Sequence, residues 1–321
     1  MKVLLLELSS TDSVARLPSR YGGAGPTFRH LAENIPNVFI GAEESCFEND
    51  LTEKCIPIDN ESVRRLRDGG ALNHNAFASD NWGIVVHANS RMALNTEIPQ
   101  LVWAVGQNEH IHPHIKHLLI HNLKWQRPVI QNVETKIHEF VLGINIPQFQ
   151  TYEKEDLVFS CGNQYPQVNS HILAQWAIRN QIKVIFAGPI DKIYQEQFLR
   201  NVDYNWAIYI GQIAEGEKIK LMKKALIYVD LPSHNLNGPR LSVKQAWSYG
   251  CSVISSPMGI MPEVVKNGIN GFIIGNEMEF VKAVVNSKNI NQKDCWDTAN
   301  QWHLEKMILS FMEVISNVMK D

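Results

Sequence analysis

Short runs of consecutive apolar residues recur along the whole chain, and stretches of helical period separate them. In the first half these runs are Val3–Leu6, Val38–Ile40, Gly83–His87 and Leu101–Val105. In the second they are Asp156–Ser160, Lys183–Ala187, Ala207–Ile210, Ala225–Val229, Ser252–Ser255 and Phe272–Ile274. Runs this short, without polar alternation, predict strands buried on both faces. Ser170–Asn180, Glu215–Lys224 and Ser242–Tyr249 read as helices between them. The rhythm predicts an α/β protein in which each half is a doubly wound, Rossmann-like parallel sheet covered by helices, the two facing across a cleft. No low-complexity segment or repeat of solenoid period interrupts it.

The pattern lapses once. The stretch from Asn145 to Glu155 carries a proline and then polar and charged residues before the next apolar strand begins. This is linker chemistry, and it places one domain at 1–150 and a second at 151–300. From Asp294 to Val318 the chain reads as helical, with Trp296, Trp302, Met307, Phe311 and Ile315 on one broad face. This closing segment, 301–321, packs either on its own domain or back on the N-terminal one.

Composition narrows the picture. A chain of 321 residues exceeds one ordinary core and suits two. The formal net charge of −3 gives no support to a nucleic-acid partner. Five cysteines, odd in number and without a C-x-x-C pair, read as free thiols in a reducing cytoplasm. The opening MKVLLLELSS lacks a signal sequence's apolar length and cleavage site, and no run reaches the roughly 20 apolar residues that span a bilayer.

In open parallel sheets, ligands bind beyond the carboxyl ends of the strands, where loops and helix starts present backbone N–H groups. Tyr21 to Thr27, with Gly22, Gly23 and Gly25, follows the first strand and precedes a helix. It is either a phosphate or sugar cradle or a plain turn. In the second half, Gly238 frees the backbone from side-chain bulk, and Leu241 and Ser242 begin a helix whose first N–H groups can hold a diphosphate. Arg240 either adds a fork of donors to phosphate oxygens or is a solvated surface residue. His110, His112 and His114 have an alternating spacing that invites a metal. Pro113 and the lack of accompanying Asp or Cys argue for a polar sugar-binding loop or surface histidines instead.

The stretch 229–274 resembles the second domain of the retaining glycosyltransferases of family 4, a group with the GT-B fold. The resemblance is carried by Leu231-Pro232-Ser233, Asn237-Gly238-Pro239, the helix Ser242–Tyr249 with Gly250, Val253-Ile254, Gly259, Pro262-Glu263 and Asn270-Gly271. Phe159 to Gly162, Val184 to Pro189 and Gly211 extend it, and the first half fits only in outline. It implies a nucleotide-sugar co-substrate, no cofactor or metal, an acceptor hydroxyl on a glycan, lipid or other molecule, and transfer with retention. It implies donor contacts at Gly22, Gly23, Gly162, Asn163, Gly238, Arg240, Leu241, Ser242 and Gln245, and catalytic positions at His110 and Asn237.

The family's pattern is also broken. Of its two glutamates, about eight positions apart, the sugar-contacting one falls on Asn235 or Asn237 and the ribose-contacting one on Gln245. An amide can still bond a hydroxyl but brings no charge. The basic pair that follows the first strand's glycine is missing from Gly162–Asn169. The expected function is a sugar transferase. The competing expectation is a catalytically silent module of the same fold that binds or scaffolds, and an epimerase or phosphorylase is a third.

Overall fold

The computed structural model describes residues 2–6, 24–42, 53, 55–57, 82–87, 98–104, 110–111, 114–120, 129–130, 134–236 and 238–321. The chain divides into two compact units: Met1–Gly143 together with Leu304–Asp321, and Ile144–His303.

Among the described residues, the first unit is a parallel sheet of seven strands: β1 (Lys2–Leu6), β2 (Val38–Ala42), β3 (Cys55–Pro57), β4 (Trp82–His87), β5 (Gln100–Trp103), β7 (His117–Ile120) and β9 (Lys136–Glu139). Their order is β3-β2-β1-β4-β5-β7-β9. Two further strands, β6 (His110–Ile111) and β8 (Val129–Ile130), pair only with each other. Leu4, Leu5 and Leu6 are fully buried, as an unbroken apolar strand in a covered parallel sheet must be. Helix α1 (Ala24–Asn34) lays Phe28 and Leu31 on this core.

The second unit has six parallel strands: β10 (Glu155–Cys161), β11 (Val184–Ala187), β12 (Ala207–Tyr209), β13 (Ala225–Asp230), β14 (Ser252–Ser255) and β15 (Gly271–Ile273), in the order β12-β11-β10-β13-β14-β15. Alternate residues serve opposite cores. Leu157, Phe159 and Cys161 join Tyr228 and Val253 on one face, while Val158 joins Phe186, Ile227 and Val229 on the other. The helices are α2 (Ser170–Arg179), α3 (Gln195–Leu199), α4 (Glu215–Lys224), α5 (Leu241–Ser248), α6 (Met261–Val264), α7 (Glu277–Asn286) and α8 (Gln292–Ala299). Lys154 donates to the Met222 carbonyl at 3.0 Å and the Tyr249 carbonyl at 2.7 Å. One ammonium therefore serves the negative carboxyl ends of both α4 and α5.

The closing segment is not the single helix that its periodicity predicts. After α8 the chain makes a 3-10 turn at Asn300–Trp302, and extended His303 bridges back to Ile144 before α9 (Leu304–Val318) begins. The broad apolar face is split accordingly. Trp296 and Trp302 pack on the second unit's core, and Trp302 stacks on Trp247 at 5.8 Å. Met307, Phe311 and Ile315 complete the first unit's core. A relay of rings ties α9 into that unit: Phe28 to Trp103 at 5.5 Å, Trp103 to Phe140 at 5.5 Å, and Phe140 to Phe311 at 6.3 Å.

Candidate functional site

In the second unit the chain winds outward from β10 through β11 to β12, then returns to place β13 on the other side of β10. The loops that follow β10 and β13 therefore leave in opposite directions and open a crevice beyond their carboxyl ends. Gly162 directly follows β10 there, and both it and Asn163 are exposed.

The floor of the crevice is held by close backbone contact. A Cβ on Gly188, at φ 118°, would lie 2.0 Å from the Gly162 carbonyl oxygen, so only glycine fits. The buried Gln164 amide donates to the Gly162 carbonyl at 3.0 Å and the Ala187 carbonyl at 3.1 Å, and accepts from Ser170. Tyr228 donates to the Cys161 carbonyl at 2.6 Å and also bonds Ser242, which joins the end of β10 to the start of α5. On the other wall, Gly259 passes so near Leu236 that a Cβ would meet its backbone nitrogen at 2.2 Å. That approach pins the loop ahead of α5.

Arg240 is the N-cap residue of α5. Its Nη1 donates to Asp230 Oδ1 at 2.9 Å and its Nη2 to the Tyr165 hydroxyl at 2.9 Å. The guanidinium also lies 5.6 Å from the centre of the Tyr165 ring. Burial pushes the Asp230 carboxyl up, and Arg240 and His234 pull it back. Burial likewise lowers His234, and Arg240 lowers it further against the opposing pull of Asp230. Asp230 Oδ2 and His234 Nδ1 are buried and have no hydrogen-bond partner among the described residues. A partly exposed cation, a buried carboxylate and an imidazole therefore stand together at the helix start. The N–H groups of Leu241 and Ser242 there have no acceptor within the helix.

One turn further along α5, Gln245 donates from Nε2 to Glu215 Oε1 at 3.0 Å. Glu215 opens α4, and its other oxygen takes Lys218 Nζ at 2.6 Å. Both charges act on the buried Cys161 thiol, which burial raises to about 12.

The structure thus brings Gly162, Asn163, Gly238, Arg240, Leu241, Ser242 and Gln245 into the second unit, and Tyr165 links the loop after β10 to the cap of α5. At Gly238 an added Cβ would meet no atom within 4 Å, so the chain there borders open space. His110 lies on β6, paired with Val129. Gly22, Gly23 and Asn237 lie outside the described residues. Among the described residues no group of three or more His, Cys, Asp or Glu could hold a metal ion. Sequence reasoning overlooked Tyr165, Asp230, His234, Glu215 and Lys218. Asp230 alone left a signal, as a charge directly after the apolar run Ala225–Val229.

Residues 161–287 match the family described as "Glycosyl transferases group 1". No curated protein matches the chain in sequence. The fold is that of GT-B glycosyltransferases. HepE of Anabaena, solved with UDP and glucose, superposes with a TM-score of 0.71 at 13% identity, covering 99% of this chain and 100% of its own. AviGT4, a glycosyltransferase involved in avilamycin A biosynthesis, gives 0.69 at 13% identity over 99% and 98%. Sucrose-phosphate synthase of Thermosynechococcus elongatus gives 0.67 at 12% identity over 100% of both chains. Among the described residues no helix is long and apolar enough to cross a membrane.

Proposed function

We propose that this chain is a glycosyltransferase that moves a sugar from a nucleotide-sugar donor to an acceptor hydroxyl with retention, without a metal or other cofactor. The observation that carries the reading is the crevice at the β10/β13 reversal, where Gly162 and Gly238 border open space ahead of α5 within the stretch that matches a glycosyltransferase family. Anabaena HepE, of the same fold, binds UDP and glucose. The donor's diphosphate would lie against the N–H groups of Leu241 and Ser242, near Gly162 and Asn163, with Arg240 beside it.

In the reaction the bond from the sugar's anomeric carbon to the diphosphate oxygen breaks. A bond to the acceptor oxygen forms on the same face, and the acceptor's proton passes to the departing phosphate. This chemistry asks the protein for positioning and for charge stabilisation of the leaving group. Asn237 and His110 are the positions proposed to touch the reacting sugar, and Gly22 and Gly23 to approach the donor from the first unit's sequence.

Incubation of the purified protein with UDP-, GDP- and ADP-sugars, followed by mass spectrometry for released nucleoside diphosphate and glycosylated acceptor, tests the reading. Thermal stabilisation by one donor with slow donor hydrolysis is the expected result. No stabilisation and no hydrolysis with any donor would overturn it.

A further inference from the structure

At the crevice, the side chain that meets Gln245 is a carboxylate from a different helix. Helix α4 crosses from the edge strand β12 back to β13, and its first residue, Glu215, lies near enough to Cys161 at the end of β10 to act on its thiol. Gln245 holds one Glu215 oxygen at 3.0 Å, and Lys218 holds the other at 2.6 Å. Two donors from two helices fix the orientation of the carboxylate. Each oxygen keeps a further acceptor site, and the Glu215 side chain stays half exposed, at 51%. The Lys218 side chain is far less exposed, at 18%.

A fixed, solvent-facing carboxylate next to a diphosphate-holding helix start suits a vicinal diol, which donates two hydrogen bonds in the spacing that a carboxylate accepts. In doubly wound sheets, acidic residues at this crevice read ribose hydroxyls in this way. We propose that Glu215, held by Gln245 and Lys218, is the residue that accepts from the ribose hydroxyls of the donor nucleotide. Gln245 acts as a positioning residue behind it. The inference rests on the nucleotide-sugar reading of the crevice and adds the residue that tells ribose from deoxyribose.

The arrangement makes a specific demand of position 245. A carboxylate there would face Glu215 at a distance where like charges repel, so restoring a glutamate at 245 harms the site unless Glu215 gives up its own charge. The amide at 245 and the carboxylate at 215 work as an exchangeable pair.

Calorimetry with whichever of UDP, GDP and ADP binds the wild-type protein most tightly, alongside its 2′-deoxy analogue, tests the proposal on wild type, E215Q, Q245E and the exchange E215Q/Q245E. Wild type is expected to prefer the ribonucleotide. E215Q is expected to lose roughly tenfold in affinity and that preference with it. Q245E should weaken binding, and the exchange should recover most of it. Thermal melts establish that each variant folds, which the exposure of Glu215 favours. Retention of wild-type affinity and of the ribose preference by E215Q would overturn the assignment while leaving the glycosyltransferase reading in place. Absence of binding by wild type to all three diphosphates would overturn both.

Discussion

The Arg240 guanidinium and the Asp230 carboxylate, ten positions apart in sequence, meet at 2.9 Å beneath the start of α5. Asp230 is buried, so this pair anchors the loop between β13 and α5 as well as placing a cation near the proposed diphosphate. Truncation of Arg240 strands a buried carboxylate, at a cost of about 3–5 kcal/mol. Arg240→Ala is expected to lower stability by that amount in chemical denaturation, and Asp230→Asn in the same chain to recover a large part of it. Donor affinity is then read on the stable double variant. A loss of roughly ten- to a hundredfold is expected there if the guanidinium also touches phosphate.

Lys244, next to Gln245 on α5, is buried, with its ammonium 5.5 Å from the centre of the Trp302 ring. Burial brings its pKa from 10.5 down to about 7. Between those values the unfolded chain holds a proton that the folded one lacks, so stability rises as pH rises across this window. The slope approaches about 1.4 kcal/mol per pH unit and vanishes below the lower value, where both states are protonated. Lys244→Met is expected to flatten this rise. Denaturant midpoints taken at intervals from pH 6.5 to 10 measure it.

Gly188→Ala places a methyl where the Gly162 carbonyl already stands and asks alanine to hold a positive φ. A loss of roughly 2–4 kcal/mol is expected. Because the displaced group directly follows β10 at the crevice, nucleoside diphosphate affinity should fall with it. Gly162→Ala is the informative comparison, since a Cβ there meets no atom within 4 Å although its φ is also positive, at 138°. It should cost less stability.

The thiols give a further check. Cys55, Cys161, Cys251 and Cys295 are all buried and unpaired with one another. Burial raises Cys161 to about 12 and raises Cys251 and Cys295 as well. Thiolate is the reactive form, so at pH 8 these four should react with a thiol reagent only once denaturant is added. Their labelling in the native protein on the timescale of mixing would contradict the packing described.

The central strands of the second unit were legible because they are largely buried and built on short apolar runs, as in Val184–Ala187 and the Val253-Ile254 pair of β14. Strands β7 and β9 escaped notice because His117 and the run Lys136-Ile137-His138-Glu139 carry polar side chains into a parallel sheet. His117 and His138 meet across these strands at 3.2 Å. The division of the closing segment was hidden for another reason. Periodicity runs through Asn300–His303 without a break, and the turn there goes with a pairing distant in sequence, that of His303 with Ile144. At the site, residue types at the start of α5 could be read locally. The capture of Arg240 by Asp230 and of Gln245 by Glu215 could not, because which side chains meet is decided by how β13, α4 and α5 are wound.

The placement of α9 sets an order of assembly. The second unit is an uninterrupted stretch, Ile144–His303, whereas the first needs Leu304–Val318 to cover its sheet. On a ribosome the N-terminal strands emerge first, yet they must wait for residues translated after the whole of the second unit. During that interval Trp103 and Phe140 lack Phe311, and the opening sheet is exposed to proteases and chaperones while its neighbour can already be folded. Truncation after His303 would therefore injure the half of the protein that lies farthest from the cut in sequence.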